Sequence, residues 1–357
     1  MAKTFNNLYP RICSLENLFA AARTARKRKT RKEYVERFEL HRERFVCSLQ
    51  DELESGTYRP GGYRQFYIHE PKQRLISAAP YRDRVVHHAL YAVTSPLIER
   101  RFIDDSFSCR KGKGTLAGRE RCRQYTNRFK YVLKCDIRKY FQSIDHEILK
   151  GKLARIIRCK PTLELCAKII DSCREDMLAP IPFPGDDLFS LPNRVFGLPI
   201  GNLTSQLWAN LYLDRLDHVI GEKLRVPGYA RYTDDFLLWS DDKSFLCECR
   251  ERITAELREE RLLLHPVKSR VMQCREGVLF LGFRFFPERS PRLAADTKRR
   301  FEKRARRQMQ AVSSGEAERI DVQRSMQGWA QFALYGNVKG LFQAYRRNGF
   351  FRGYAGT

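Results

Sequence analysis

Two aspartates set side by side, Asp234 and Asp235, carry the chemistry this sequence most plainly offers. They lie in GYARYTDDFLLWS, residues 228–240, between two short runs rich in aromatic and β-favouring residues. That pattern predicts a β-hairpin with the acids at or beside its tip. Adjacent carboxylates repel one another, and apolar flanks make burying them costly unless a cation neutralises them. Mg²⁺ prefers carboxylate oxygens, keeps some waters and completes its shell with substrate phosphates. A solvated Asp-Asp turn is the plainer alternative. A third acid, Asp136, closes the apolar run Tyr131–Asp136 and meets the same desolvation problem. If that strand neighbours the hairpin, three carboxylates converge, the geometry of two-metal phosphoryl transfer. Such a site works by positioning and charge, without a covalent intermediate.

The elements that would hold these acids can be read along the chain. Residues 14–55 have a helical pattern with Ser14 as a candidate N-cap, and residues 23–32 form a dense basic patch. Residues 56–77 carry turn signals at Pro60-Gly61-Gly62 and Glu70-Pro71, which predicts a hairpin with Lys72 and Arg74 at its edge. Such a cation pair suits a triphosphate, Arg binding bidentately and Lys as a point charge, although two basic residues are commonly plain surface. Amphipathic helices are expected over 81–102 and 244–263, and residues 147–175 read as helical. His87 and His88 in the first of these read as packing residues, since no carboxylate or nucleophile is placed beside them. Gly197–Gln206 leads into a helix with Leu203, Leu207 and Leu211 on one face, and its glycines permit close approach by a ligand. Asp186-Asp187, in a proline-rich connector, reads as a solvated loop. The run 277–286 reads as strand, bulged at Gly282. Residues 291–307 read as a basic helix, and a second helix follows the break at Ser313-Ser314-Gly315. Residues 107–115 do not match a phosphate-binding loop.

The chain has 357 residues, 67 Lys+Arg against 42 Asp+Glu, and a net charge of +25. That excess favours polyanionic partners, nucleic acid before acidic membrane. Arg26, Lys27 and Arg28 in the first half and Lys298, Arg299, Arg300, Lys303 and Arg304 in the second are the candidates to touch a nucleic-acid backbone. No apolar run approaches the ~20 residues that span a bilayer, and no signal-peptide core is present, so no membrane role and a cytoplasmic location are expected. The eleven cysteines are scattered, and Cys247-x-Cys249 without a second pair is a weak zinc signal, so reduced, buried thiols are expected.

Taken in order, these pieces resemble the motifs of reverse transcriptases. They are Lys72 and Arg74, Asp136, GLPIGNLTSQ at 197–206, YTDD at 232–235, His265-Pro-Val-Lys268 and Val278-Leu-Phe-Leu-Gly282. An isolated Y-x-D-D is unspecific; six motifs in order, over about residues 55–290, are specific. PYRDRVVHHAL at 80–90 and Phe107-Ser-Cys-Arg are similar to the group II intron branch. Within it, Ile200-Gly201-Asn-Leu-Thr-Ser-Gln206 resembles the reverse transcriptases of diversity-generating retroelements, where the common pattern has Gln before the Gly and Ser-Pro at the end.

The resemblance implies an α+β right-hand polymerase fold. Its parts would be a basic helical N-terminal extension (1–55), fingers (56–130), a palm with an antiparallel sheet (131–290, with a connector at 147–200) and a helical thumb with a C-terminal tail (291–357). It implies copying of a template-repeat RNA into cDNA with errors at template adenines, from dNTPs and a primer strand. Two Mg²⁺ ions, or Mn²⁺ as a substitute, and an oligomeric basic accessory variability protein come with that reading. Asp136, Asp234 and Asp235 become the catalytic acids, with the Ile137 carbonyl as a further metal ligand. Lys72 and Arg74 become triphosphate ligands, and Phe141 falls where the family keeps a sugar gate against ribonucleotides. Ile200, Gly201 and Gln206 line the nucleotide, and Lys268 is the candidate proton donor to pyrophosphate. At position 200, Ile offers bulk without the hydrogen bond a Gln would give the nascent pair, which predicts looser checking. A group II intron-type or retron-type enzyme is the alternative; an inactive RNA-binding scaffold is another, against which three intact acids weigh.

Overall fold

The computed structural model describes residues 4–27, 29–30, 32–69, 73–173, 182–187 and 194–347. Four helices come first: α1 (Tyr9–Cys13), α2 (Leu15–Arg26), α3 (Glu33–Leu40) and α4 (Arg42–Glu54). Ser14 caps α2 as expected, its Oγ accepting the Asn17 N–H at 3.3 Å. The helical stretch of residues 14–55 is nonetheless three helices, because Lys27 and His41 leave helical geometry. Cations crowded just past α2 repel one another there, which disfavours a continuous helix. Strands β1 (Arg64–Ile68) and β2 (Arg74–Ala78) form a separate hairpin with Ile68 opposite Arg74. Helix α5 (Tyr81–Ile98) follows, and α1, α2 and α3 pack against it. His87 is buried there with its Nδ1 3.2 Å from the Thr204 hydroxyl, the packing role expected of it.

After α6 (Thr115–Arg128) comes β3 (Tyr131–Asp136), an inner strand of a four-stranded antiparallel sheet. Between β3 and the hairpin lie α7 (Tyr140–Ser143), α8 (His146–Ala154), α9 (Lys160–Asp171), α10 (Leu203–Tyr212) and α11 (Asp214–His218). The hairpin itself is β4 (Gly228–Tyr232) and β5 (Asp235–Ser240); α12 (Lys243–Glu259) and β6 (Arg270–Gln273) follow. The sheet order is β4-β5-β3-β6. Successive strand residues face opposite ways, and the two faces feed two cores. Leu133, Cys135, Phe236 and Leu238 join a large cluster with the N-terminal helices, α5, α8, α9 and α10. Val132, Leu237 and Trp239 join a second cluster with the C-terminal elements.

Those C-terminal elements are a three-stranded sheet, β7 (Val278–Phe280), β8 (Phe283–Phe286) and β9 (Arg289–Leu293), and helices α13 (Ala295–Ser313), α14 (Arg319–Ala333) and α15 (Lys339–Arg347). Gly282 is not in a bulge. It shares a two-residue turn with Leu281, both at positive φ (87° and 46°), the primed geometry a tight hairpin needs. The irregularity falls later, between Arg284 and Phe286. Pro291 likewise belongs to β9 rather than to the basic helix, which starts at Ala295. Phe301 of α13 stacks on Trp329 of α14, ring centroids 3.6 Å apart. Arg119 of α6 ties the early chain to this region. It is buried, donates from Nε and Nη2 to the Leu281 carbonyl at 3.2 and 3.0 Å, and lies over the rings of Phe283, Phe332 and Tyr335. No helix among the described residues is long and apolar enough to cross a membrane. Most of the cysteines are buried, among them Cys122, Cys135 and Cys249.

Candidate active site

The sheet register puts two of the acids face to face: Asp136 at the end of β3 pairs with Asp235 at the start of β5. Asp234 precedes it in the two-residue turn Thr233-Asp234, and the Ile137 N–H donates to the Asp234 carbonyl at 3.3 Å. The backbone at Thr233 has φ 60°, which a β-branched residue adopts only under restraint. Two contacts supply it. The Thr233 carbonyl accepts from Arg231 Nη1 at 3.2 Å, and its hydroxyl bonds Ser108 Oγ at 2.8 Å.

Arg231, which local sequence pattern does not single out, anchors this turn from within the core. Its side chain and that of Asp217 are wholly buried, joined by Arg231 Nε donating to Asp217 Oδ1 at 2.7 Å. Tyr229 donates to the same oxygen at 2.7 Å, and Arg231 also reaches Asn210 Oδ1 and Ser106 Oγ, each at 3.2 Å. Burial alone would favour the neutral guanidine, but the Asp217 carboxylate outweighs it and holds Arg231 above its ordinary range. The available signal was a lone cation inside a run of aromatic and apolar strand residues; the partner lies on another element.

The acids are electrostatically strained. Burial, opposed by Lys134 and reinforced by Asp234 and Asp136, leaves Asp235 raised to about 6. Burial also raises Asp234, and Asp136 adds to this, while Arg74 and Lys268 oppose it. Two lysines supply positive charge. Lys268 Nζ lies 2.8 Å from Asp136 Oδ1, and Lys134 Nζ lies 3.3 Å from Asp235 Oδ1 while donating to the Leu279 carbonyl at 2.8 Å. Asp235 Oδ1 is buried with no hydrogen bond of its own. Oxygen donors crowded together, among them a buried carboxylate oxygen that has no hydrogen bond and lies 3.3 Å from the Lys134 ammonium, fit a hard divalent cation. Among the described residues, however, no three acidic, His or Cys side chains already close into a ligand cage.

The remaining expected residues surround this centre unevenly. Arg74 begins β2, close enough for its charge to act on Asp234. Lys72 lies outside the described residues. Ile200 and Gly201 meet the same hairpin: the Ser77 N–H donates to the Ile200 carbonyl at 3.2 Å, and a Cβ on Gly201 would lie 3.2 Å from Ile76 Cγ2. Gly201 has φ 121°, so a side chain there is strained as well as crowded. Phe141 is half-buried on α7 beside Tyr140, their ring centroids 5.7 Å apart. Gln206 is exposed on α10 and accepts the Cys109 thiol at 3.1 Å. Lys268 sits on Asp136 in this structure rather than apart from it. Asp186 departs from expectation, its carboxylate being paired with Arg194 and Arg261 rather than solvated.

The candidate nucleic-acid contacts divide. Arg26 is spent on Glu39 at 3.1 Å, Lys27 is exposed at the C-cap of α2, and Arg28 lies outside the described residues. On α13, Arg299 and Lys303 are exposed, Arg299 pairing with Asp296, while Lys298, Arg300 and Arg304 are half-buried.

The family model described as reverse transcriptase (RNA-dependent DNA polymerase) matches residues 68–285. The chain is 25% identical over 285 residues to Protein YkfC of Escherichia coli (strain K12), covering 68% of this chain and 71% of that protein. It is 22% identical over 178 residues to the group II intron-encoded protein LtrA of Lactococcus lactis subsp. cremoris, covering 49% of this chain and 28% of that one. A solved structure of apo telomerase from Candida Tropicalis aligns with a TM-score of 0.45 at 11% identity, over 66% of this chain and 52% of that chain.

Proposed function

We propose that this chain, which belongs to the reverse transcriptase (RNA-dependent DNA polymerase) family, extends a primer strand on an RNA template with Asp136, Asp234 and Asp235 as its catalytic acids. The observation that carries the assignment is the register of β3 and β5. It sets Asp136 opposite Asp235, with Asp234 in the adjoining turn. Two divalent ions, Mg²⁺ with Mn²⁺ as a substitute, held by these carboxylates and the Ile137 carbonyl, would activate the primer 3′-hydroxyl and neutralise the triphosphate. The rest falls to the chain. Arg74, with Lys72 before it, grips the triphosphate. Lys268 leaves Asp136 to donate a proton to the departing pyrophosphate, and Phe141 excludes a 2′-hydroxyl. Arg231 and Asp217 keep the acid-bearing turn in place. Residues 56–130 serve as fingers, 131–290 as palm and 291–357 as thumb, whose Arg299 and Lys303 hold the duplex by its phosphates; residues 1–55 extend the fingers side.

Within the family we assign the chain to diversity-generating retroelements, where a template-repeat RNA is copied with errors at template adenines alongside a basic accessory protein. Ile200 in place of Gln, with Gln206 closing the motif, supports this. The similarity to a group II intron-encoded protein favours the intron-type enzyme as the second reading.

The test is extension of a DNA primer on an RNA template with dNTPs and Mg²⁺, with the product sequenced. Asp234→Asn should cost more than about 100-fold in rate. Errors concentrated opposite adenine, and reduced in Ile200→Gln, support the mutagenic reading. Faithful cDNA moves the chain to the intron-type enzymes, and an unaffected Asp234→Asn variant removes the catalytic assignment.

A further inference from the structure

A wholly buried histidine stands behind the nucleotide side of this site with no part in the chemistry so far assigned. His146 opens α8, its side chain 0% exposed. Nε2 lies 2.8 Å from the Gly197 carbonyl, and Nδ1 lies 3.1 Å from Asp171 Oδ1 at the end of α9. A carbonyl only accepts, so Nε2 carries a proton and donates.

The bond closes a seam between two segments. Leu198 N–H donates to the Phe141 carbonyl at 2.7 Å, Gly197 N–H to the Ile144 carbonyl at 2.9 Å, and His146 N–H to the Val195 carbonyl at 3.0 Å. One side of the seam carries Phe141 and the other leads in three residues to Ile200. Ile200 in turn accepts from Ser77 on the hairpin that carries Arg74. Gly197 has φ 102°, a backbone state with little intrinsic preference to persist. The imidazole is the side chain that fixes it. Asp171 holds the ring from behind and is itself held by Lys150 at 2.8 Å.

We propose that His146 is a positioning residue for nucleotide selection: by holding the Gly197 carbonyl it sets the distance between the Phe141 segment and the Ile200 loop. The inference rests on the polymerase reading above. It assigns the side chain no contact with substrate, so its loss should appear in how the incoming nucleotide is bound and chosen rather than in the chemical step.

The experiment compares His146→Leu, His146→Gln and Asp171→Ala with the unmodified chain in single-nucleotide extension, with thermal melting as the folding control. His146→Leu should raise the KM for the correct dNTP about tenfold and increase misincorporation and ribonucleotide entry, with kcat within about twofold. His146→Gln can still donate to the carbonyl and should recover most of the loss. Asp171 is partly exposed, so Asp171→Ala keeps the buried ring while removing the partner of Nδ1, and tests the same contact should the leucine variant not fold; it should shift KM the same way but less. Unchanged KM and selectivity in the folded variants overturn the proposal, as does a kcat loss with no KM change. A second readout needs no activity: amide exchange over residues 195–201 should be at least about tenfold faster in His146→Leu. If the unmodified chain makes no cDNA, the polymerase reading fails. Exchange that is unchanged by the leucine removes the clamp on its own account.

Discussion

At the scale of single residues, the Arg231–Asp217 pair decides whether the acid-bearing turn holds its shape. Two charges removed from water are costly, and their partners here are numerous enough to offset that: Tyr229, Asn210, Ser106 and the Thr233 carbonyl. Deleting one partner leaves the other charged and unpaired. Arg231→Met is therefore expected to destabilise the protein by about 3–5 kcal/mol in urea unfolding. The double variant Arg231→Met/Asp217→Leu should recover much of the stability but not activity, because the Thr233 carbonyl still lacks its donor. If the double variant is no more stable than the single one, the buried-charge account is wrong.

At the scale of elements, α5 carries a pH dependence of its own. Burial lowers His87 to about 3, with His88 and Arg84 adding to the effect, and burial with Lys29 lowers His88 to about 4. Both values lie below the ordinary 6.5, so the unfolded chain binds protons that the folded chain refuses. Their contribution is fully present above pH 6.5 and is lost as the pH falls toward 4 and then 3. Urea unfolding at several pH values should show this decline. His87→Gln should begin about 1 kcal/mol less stable at pH 7, having lost a buried contact, and fall less steeply between pH 6.5 and 4. A decline as steep as that of the unmodified chain would sink the assignment.

Elements also mark what could be read in advance. The hairpin around Asp234 and Asp235, the strand ending at Asp136 and the capped helix at Ser14 rest on local pattern, and all three are present. The Asp217 partner of Arg231 and the Gly197 partner of His146 are set by packing between distant segments, which periodicity does not encode. The ion pairs of Asp186 escaped for the same reason. A strand interrupted by Leu281-Gly282 fits both a bulge and a primed turn in sequence; the positive φ at both positions makes it the turn. The ligands proposed for a metal are legible as acids and Lys268 through its motif, but Lys134, and the contact of Lys268 with Asp136, required the fold.

For the whole molecule, a net charge of +25 means that binding to nucleic acid should be dominated by counterion release. Affinity for an RNA–DNA duplex should fall steeply between 50 and 200 mM salt, by about 10³-fold if six or more phosphates are engaged. Replacing the exposed Lys303 and Arg306 of α13 with Gln should reduce the salt slope by about one unit per residue and weaken all sequences alike. An unchanged slope would place the duplex on another surface.

Arg119 and its aromatic neighbours have a consequence for how the molecule comes into being. The second core joins Phe107, Cys122, Phe129 and Val132, and then Ala230, Leu237 and Trp239, to residues that run from Cys274 to Tyr345. On a ribosome the first group emerges well before the last, by roughly ten to thirty seconds at usual elongation rates. Throughout that interval one half of the core is open to water, and Arg119 has neither the Leu281 carbonyl nor the faces of Phe283 and Phe332 to receive it. Newly made chains are thus most vulnerable to self-association while the last elements are still being translated, and slowing elongation near the end of the message lengthens that exposure.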